Sequence, residues 1–411
     1  MSATTGDVVA LFESLPRNPR IVASGNAAPP FELLRLADQT LPEFILNMLA
    51  AHAGLPSREG ITHETSFVGP GMRKSPHLSY VPCRLSMVPL LFKRSLPVEC
   101  VIAHTSLPID GRVSLGIETN VMVGAIEACK QRGGILIAQA NKNMPYTFGD
   151  AEVDVELFDA IFEVDLPIAH VHDRVVAGPA EGDAGVIGEL VSSRVHDGAT
   201  LQLGIGMVPD ATLPGLTHKK GLGIWTEMFS DGVLSLIDAG AMDPDRKITA
   251  SFSVGSEELL TWMHRNEQVL MLRTETTNDP AMIARQPMMT SINTALQVDL
   301  FGQANASRIN ARIHSGFGGQ TDFIVGALHS PGGQAIMALR SWHPKAQVST
   351  IVPLIDEPLT SFQHSAIVTE QGVAEIFGND QAKQCWSIIN KAAHPSVREE
   401  LWEEAHNLGL A

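Results

Sequence analysis

The sequence is poor in the residues that most metal, redox and nucleic-acid sites require. Its 411 residues hold four cysteines, at 83, 100, 129 and 385. None forms a C-x-x-C pair, which removes a zinc ribbon and a thioredoxin-type site. So few thiols in so long a chain point to a reducing compartment. Basic residues are the minority, 29 Lys and Arg against 45 Asp and Glu, for a net charge of −16. That balance argues against nucleic acid or an anionic membrane surface as partner. It does not exclude a small anion, which a few cations and backbone N–H groups suffice to hold. No run of about 18 apolar residues is present, so no membrane span is predicted. The opening MSATTGDVVALFESLP has neither the basic n-region of a signal peptide nor an Arg-rich amphipathic stretch. By exclusion, a cytoplasmic location is predicted.

What is present is the composition of a globular protein. Apolar residues make up 44% and charged residues 18%, with 35 glycines and 25 prolines. The length leaves room for two domains. One opening occurs twice. Val8, Leu11, Phe12 and Leu15 recur at helical spacing, Pro16–Pro19 ends the helix, and a strand beginning at Ile21 runs into Gly25-Asn26-Ala27-Ala28-Pro29. Phe31, Leu33 and Leu34 then begin a second helix. One hundred and eighty positions on, Ile187, Leu190, Val191 and Val195 form a helix that ends at Asp197-Gly198. A strand from Leu201 runs into Gly204-Ile205-Gly206-Met207-Val208-Pro209, and a helical pattern with Leu213 follows. Two domains of one architecture are predicted, 1–178 and 186–411, with the turn-rich AGPAEGDAG at 177–185 as linker. The runs VECVIAHTSLP (98–108), GGILIAQA (133–140) and ITASFSV (248–254) do not alternate, as expected of strands buried on both faces. The predicted class is therefore α/β, two tandem open domains of mainly parallel sheet flanked by helices.

Ligands in such sheets sit beyond the carboxyl ends of the strands, and three segments there stand out. The Gly204-Ile205-Gly206 loop lets backbone approach a ligand and puts a helix N-terminus behind it. It reads equally as a plain tight turn, and it lacks the third glycine of a dinucleotide fingerprint. In Trp225-Thr226-Glu227-Met228-Phe229, a carboxylate stands among bulky side chains. Desolvation there would raise its pKa and sharpen it as a nucleophile. The spacing alone favours a solvated or ion-paired glutamate. In Gly316-Phe317-Gly318-Gly319-Gln320, three glycines in four positions imply close approach or positive φ, and their amides suit an oxyanion or phosphate. A structural turn is the other reading. His63-Glu64 lacks the second histidine of H-E-x-x-H. His104, His170, His172 and His218 are scattered. Lys219-Lys220 reads as a solvated turn more readily than as a phosphate contact.

Together these segments resemble the acetyl-CoA hydrolase/transferase family, in its 4-hydroxybutyrate and butyrate–acetate CoA-transferase branch. LQLGIGMVPDA (201–211) is similar to the family's GIGxxPDA loop, and LGIWTEMFSDGVLSLIDAG (222–240) to the strand bearing its catalytic glutamate. SINTALQVDLFGQANASRI (291–309) and SGFGGQTDFIVGA (315–327) are similar to segments that build the coenzyme A site. FVGPGMR (67–73), SLPIDGRVSLG (106–116), NKNMPYTFG (141–149), IVTEQGVAE (367–375) and AAHPSVREEL (392–401) extend the resemblance over nearly the whole chain.

The resemblance implies double displacement. Glu227 is the expected nucleophile, passing through an acyl-glutamyl anhydride and a glutamyl-CoA thioester. Gly204, Ile205, Gly206, Gly316, Phe317, Gly318, Gly319 and Gln320 are the expected CoA contacts, and Trp225 and Met228 line the acid pocket. Coenzyme A enters as cosubstrate, the partners are an acyl-CoA and a small carboxylic acid, no metal is signalled, and a homo-oligomer is expected. The sequence departs from the family pattern at Trp225, where histidine is frequent, and at Gln371, where tyrosine is usual. It also lacks an arginine in TSFQHSA (360–366). These departures point to an acid bulkier or more apolar than acetate. Two other readings share the site: acyl-CoA hydrolysis with water as acceptor, and a CoA-binding protein without turnover. A nicotinamide dehydrogenase would need the complete glycine fingerprint.

Overall fold

The computed structural model describes residues 2–168, 181–204, 206–361 and 363–411. His170, His172, Ile205 and much of the expected linker lie outside the described residues. By contacts the chain falls into two compact units. The first comprises Met1–Arg174, Lys247–Asn278 and Ile313–Gly318; the second comprises Val175–Arg246, Asp279–Arg312 and Gly319–Ala411. This division differs from a single cut between 178 and 186, because two later segments count with the first unit.

The first unit opens with helix α1 (Thr5–Glu13), begun by a capping box in which Thr4 N donates to Asp7 Oδ2 at 2.8 Å and Asp7 N donates to Thr4 Oγ1 at 3.3 Å. Val8 and Phe12, one turn apart, are fully buried. Strand β1 (Arg20–Ala23) leads through the Gly25 loop to α2 (Phe31–Thr40). Strands β2 (Phe44–Asn47), β3 (Ile61–Thr65), β4 (Leu78–Tyr80), β5 (Cys100–Thr105), β6 (Ile135–Asn141) and β7 (Ala160–Val164) complete a seven-stranded parallel sheet, ordered β7-β6-β5-β1-β2-β3-β4. All six residues of β5 are buried, His104 and Thr105 included, as the lack of alternation predicts. β1 lies between β2 and β5, so the order of connection reverses there. The α2 N-terminus is capped from the sheet: Gln139 Oε1 accepts from Glu32 N at 3.1 Å and Leu33 N at 3.2 Å.

The second unit repeats this frame. Helix α3 (Gly182–Ser193) precedes β8 (Thr200–Leu203), whose bounds fall 180 positions after those of β1. With β9 (Gly223–Ile224), β10 (Thr290–Asn293), β11 (Gln334–Ala338), β12 (Ala366–Thr369) and β13 (Gly372–Glu375) it builds a sheet ordered β9-β8-β10-β11-β12-β13, parallel except for β13. β8 stands between β9 and β10 as β1 stands between β2 and β5. Leu203, Ile292, Ile336 and Val368 pack one face of this sheet against Ile187 and Val191 of α3.

ITASFSV does not join either main sheet as one strand. It breaks into Ile248–Ala250 and Phe252–Ser253. Ile248–Ala250 pairs with Val269–Met271, which pairs with Phe148–Gly149, a small parallel sheet of the first unit. Burial of the run was foreseen, but its partners lie far along the chain and leave no mark on its periodicity. Among the described residues no helix is long and apolar enough to cross a membrane.

Candidate functional site

The carboxyl edge of the second unit's sheet carries an unusual concentration of polar groups. β9 ends at Ile224, and Trp225 N donates to Leu201 O at 3.1 Å, continuing the ladder past the end of the strand. Thr226 Oγ1 lies 3.4 Å from Leu203 O and donates to Met228 O at 2.9 Å. Glu227 lies within that span. Its neighbours in sequence, Trp225, Thr226, Met228 and Phe229, are buried, while Glu227 itself is half-buried. Beside it, Gly204, Asp210, Ile224, Thr226, Ser230 and Gly232 line a small hollow.

Gly206 adopts φ +117°, where a side chain is strained, and it precedes α4 (Met207–Thr212). The helix behind the glycine loop is thus only six residues long. Gly319 precedes α5 (Gln320–His329), which has no side-chain cap. Gln320 Nε2 donates to Thr294 O at 3.1 Å, so its amide is engaged by the protein's own backbone.

Gly316, Phe317 and Gly318 belong to the first unit. The glycines there have a local reason. A Cβ on Gly316 would sit 2.6 Å from Ser66 O, and Gly318 has φ +57° with the Phe67 ring 3.1 Å from where its Cβ would be. Val68 N donates to Ser315 O at 2.8 Å and Leu85 N to Gly318 O at 3.0 Å, fixing the loop on both sides. The spacing said that glycine was needed; it did not reveal that Phe67 is what the glycines meet.

Two groups escaped the sequence reading. Ser341 N donates to Glu370 Oε2 at 2.9 Å, the Ser341 hydroxyl donates to Glu370 Oε1, and Gln371 Nε2 donates to Glu370 Oε1 at 3.1 Å. Burial raises the Glu370 pKa, but these hydrogen bonds outweigh it and the net shift is downward. The usual tyrosine's place at 371 is thus taken by an amide that serves a neighbouring carboxylate. The second group is Gln202, Ser291 and Asn293. Ser291 Oγ donates to Gln202 Oε1 at 2.8 Å, and Asn293 Nδ2 donates to Gln202 Oε1 at 3.3 Å and to Ser291 Oγ at 2.7 Å. A glutamine inside TLQL was the one signal for it. Lys220 Nζ donates to Gly240 O at 3.1 Å, in agreement with the turn reading of Lys219-Lys220, and His63 Nε2 meets Pro56 O at 2.8 Å.

Comparison with known proteins agrees with this architecture. The family model of the acetyl-CoA hydrolase/transferase C-terminal domain matches residues 255–405. The 4-hydroxybutyrate coenzyme A transferase of Clostridium kluyveri is 36% identical over 414 aligned residues, which cover 95% of this chain and 94% of that protein. The structure of RipA from Yersinia pestis superposes with a TM-score of 0.89 at 26% identity, covering 100% of this chain and 98% of that one. The structure of a 4-hydroxybutyrate CoA-transferase from Porphyromonas gingivalis gives 0.80 at 30% identity, covering 98% and 97%.

Proposed function

The chain belongs to the acetyl-CoA hydrolase/transferase family, enzymes of CoA transfer or acyl-CoA hydrolysis, and on that footing we propose that it moves coenzyme A between short-chain carboxylic acids with Glu227 as nucleophile. The observation that carries this reading is the place of Glu227, half-buried at the carboxyl edge of a parallel sheet with Trp225, Thr226, Met228 and Phe229 buried around it.

In the first step a Glu227 carboxylate oxygen adds to the thioester carbonyl carbon, and the carbonyl π pair moves onto oxygen. Collapse expels CoA thiolate and leaves an acyl-glutamyl anhydride. The thiolate then attacks the glutamyl carbonyl, the first acid leaves as carboxylate, and glutamyl-CoA remains. A second carboxylate reverses both steps. A carboxylate is a weak nucleophile, so desolvation by the surrounding apolar groups and a fixed approach supply much of the rate. The same groups keep water from the anhydride, which favours transfer over hydrolysis.

Gly204, Ile205, Gly206, Gly316, Phe317, Gly318, Gly319 and Gln320 are proposed as CoA contacts, with Trp225 and Met228 against the acid. Assembly as a homo-oligomer in the cytoplasm, with an acyl-CoA and a small acid as partners and no nucleic acid, belongs to the same proposal. It is supported by the acidic charge and the family.

Intact mass after mixing with acetyl-CoA or butyryl-CoA tests it. A CoA adduct mapped to Glu227, released by hydroxylamine and absent from Glu227→Ala, is the expected result. No adduct, with CoA released at a rate indifferent to added acid, would assign hydrolysis instead.

A further inference from the structure

The Gln202–Ser291–Asn293 triad has polar hydrogens to spare. Two primary amides and one hydroxyl carry five, and the three internal hydrogen bonds use three of them. With Gln202 Oε1 accepting from both neighbours, the two left over are on Gln202 Nε2. Among the described residues no acceptor meets that nitrogen. Reversing the sense of both amides still leaves two N–H groups, then on Asn293. Gln202 as a residue is only 6% exposed, yet its Nε2 is not among the sealed polar atoms, so these N–H groups are open to a ligand at this face.

The position of the triad says what that acceptor is. Gln202 and Ser291 are register partners in β8 and β10, on the sheet face opposite the core packed by α3, and Asn293 lies two residues on along the same face. β8 is the strand at which the connection order reverses, where open α/β sheets place ligands. Leu201 pairs with Ile224, and Trp225 N donates to Leu201 O. The next step of that ladder brings Trp225 abreast of Gln202, with Glu227 two residues further along. Unused amide donors and the proposed nucleophile thus share one sheet edge.

We infer that Gln202 donates to the carbonyl oxygen of the acyl group as Glu227 adds to it. This rests on Glu227 as nucleophile. When the carboxylate oxygen bonds to carbon, the π pair becomes an oxyanion. Amide N–H groups already held in place by Ser291 and Asn293 stabilise that charge without reorganising. The charge is discharged when the C–S bond breaks and the carbonyl re-forms. Gln202 is then a catalytic residue, and Ser291 and Asn293 are positioning residues.

The variants that test this separate donation from support. Gln202→Glu keeps an oxygen for Ser291 and Asn293 but loses the N–H groups; Gln202→Met loses both. Each is expected to lower kcat for CoA transfer from butyryl-CoA to acetate by about 100-fold or more, with KM for the CoA ester within about three-fold. Ser291→Ala weakens the support but spares the donors, and is expected to lose less than about ten-fold. Urea unfolding of each variant shows whether the fold persists. Gln202→Glu within about three-fold of the wild-type kcat, or Ser291→Ala as impaired as Gln202→Met, would assign the triad a structural role only. The rate at which the Glu227-linked CoA adduct forms separates the role of Glu227 from that of Gln202. No adduct in the wild type overturns the nucleophile, whereas an adduct forming equally fast in Gln202→Glu overturns Gln202 alone.

Discussion

The Thr226 hydroxyl donates to the Met228 carbonyl at 2.9 Å, closing a turn around the backbone of Glu227. Such a side-chain to backbone bond fixes the direction in which the intervening residue leaves the chain. Thr226 is 1% exposed, so neither partner is served by bulk water. Removing the hydroxyl takes away the bond that ties Thr226 to the Met228 carbonyl and frees Glu227 to reorient. Thr226→Val is expected to lower kcat by about 10- to 100-fold, since small misplacements of a nucleophile carry penalties of that order. Thr226→Ser should recover most of it. Steady-state kinetics of the two variants decide, and equal rates for both would count against the role.

Strand β9 reaches the site only because Gly223 lets an arginine pass. A Cβ at Gly223 would fall on the Arg246 guanidinium. That guanidinium donates to Gly198 O at 3.2 Å and to Thr200 Oγ1 at 2.5 Å, bracing the start of β8. Gly223→Ala must therefore displace a half-buried charge from its acceptors, and a loss of about 2 kcal/mol in urea unfolding is expected. In Gly223→Ala/Arg246→Ala the clash is gone, so the double variant should be more stable than the sum of the two single losses predicts. Strict additivity would show that the two residues do not share the space.

Much of this frame is legible along the chain, and the limits of legibility are physical. The β5 and β6 runs announce buried parallel strands because apolar residues follow one another without alternation, with His104 and Thr105 at the end of β5 and Gln139 and Asn141 in β6 as the exceptions. The openings at β1 and β8 match because equivalent positions meet equivalent neighbours. Assigning 248–254 to a sheet is another matter. Three-residue strands carry too few side chains to show a period, and the partners at 148–149 and 269–271 are set by long-range pairing. At the site, Glu227 and the glycine loops stand out by residue type. Gln202 does not, because its meaning lies in register with Ser291 on a distant strand.

Two fully buried histidines make the fold acid-sensitive. His104 Nδ1 lies 3.1 Å from Ala28 O and so carries the proton; Nε2 is then the acceptor, 3.2 Å from Asn141 Nδ2 and 3.4 Å from Gln139 Nε2. A second proton would point at amide N–H groups. Burial pulls the His104 pKa down to about 4, against a weaker upward pull from the Ala28 carbonyl, and burial alone does the same for His364. An unfolded chain binds these protons near pH 6.5 and the folded one does not. Stability is therefore full above about pH 6.5 and falls as the pH drops toward 4. Between pH 7 and pH 5 each histidine should remove about 2 kcal/mol. His104→Gln should flatten that part of the profile, measured by urea unfolding across the range. An unchanged slope would mean that His104 titrates alike in the folded and unfolded chain.

The acid that the enzyme prefers should follow the side chain before Glu227. Trp225 is 9% exposed and is separated from the proposed nucleophile only by Thr226, with Met228 and Phe229 also buried nearby. An indole in that position offers a large apolar wall with a single N–H donor, whereas the histidine common in the family would offer a smaller, wetter one. Each methylene of an acid that packs on such a wall gains about 1–3 kcal/mol. Trp225→His is therefore expected to lower the ratio of kcat/KM for butyrate to that for acetate by about ten-fold or more, chiefly through loss of butyrate. The measurement is CoA transfer from one common acyl-CoA donor to each acid in turn. A variant that loses both acids in proportion would show that Trp225 shields the anhydride from water rather than reading the acid, and rapid CoA release without any acceptor would accompany that outcome.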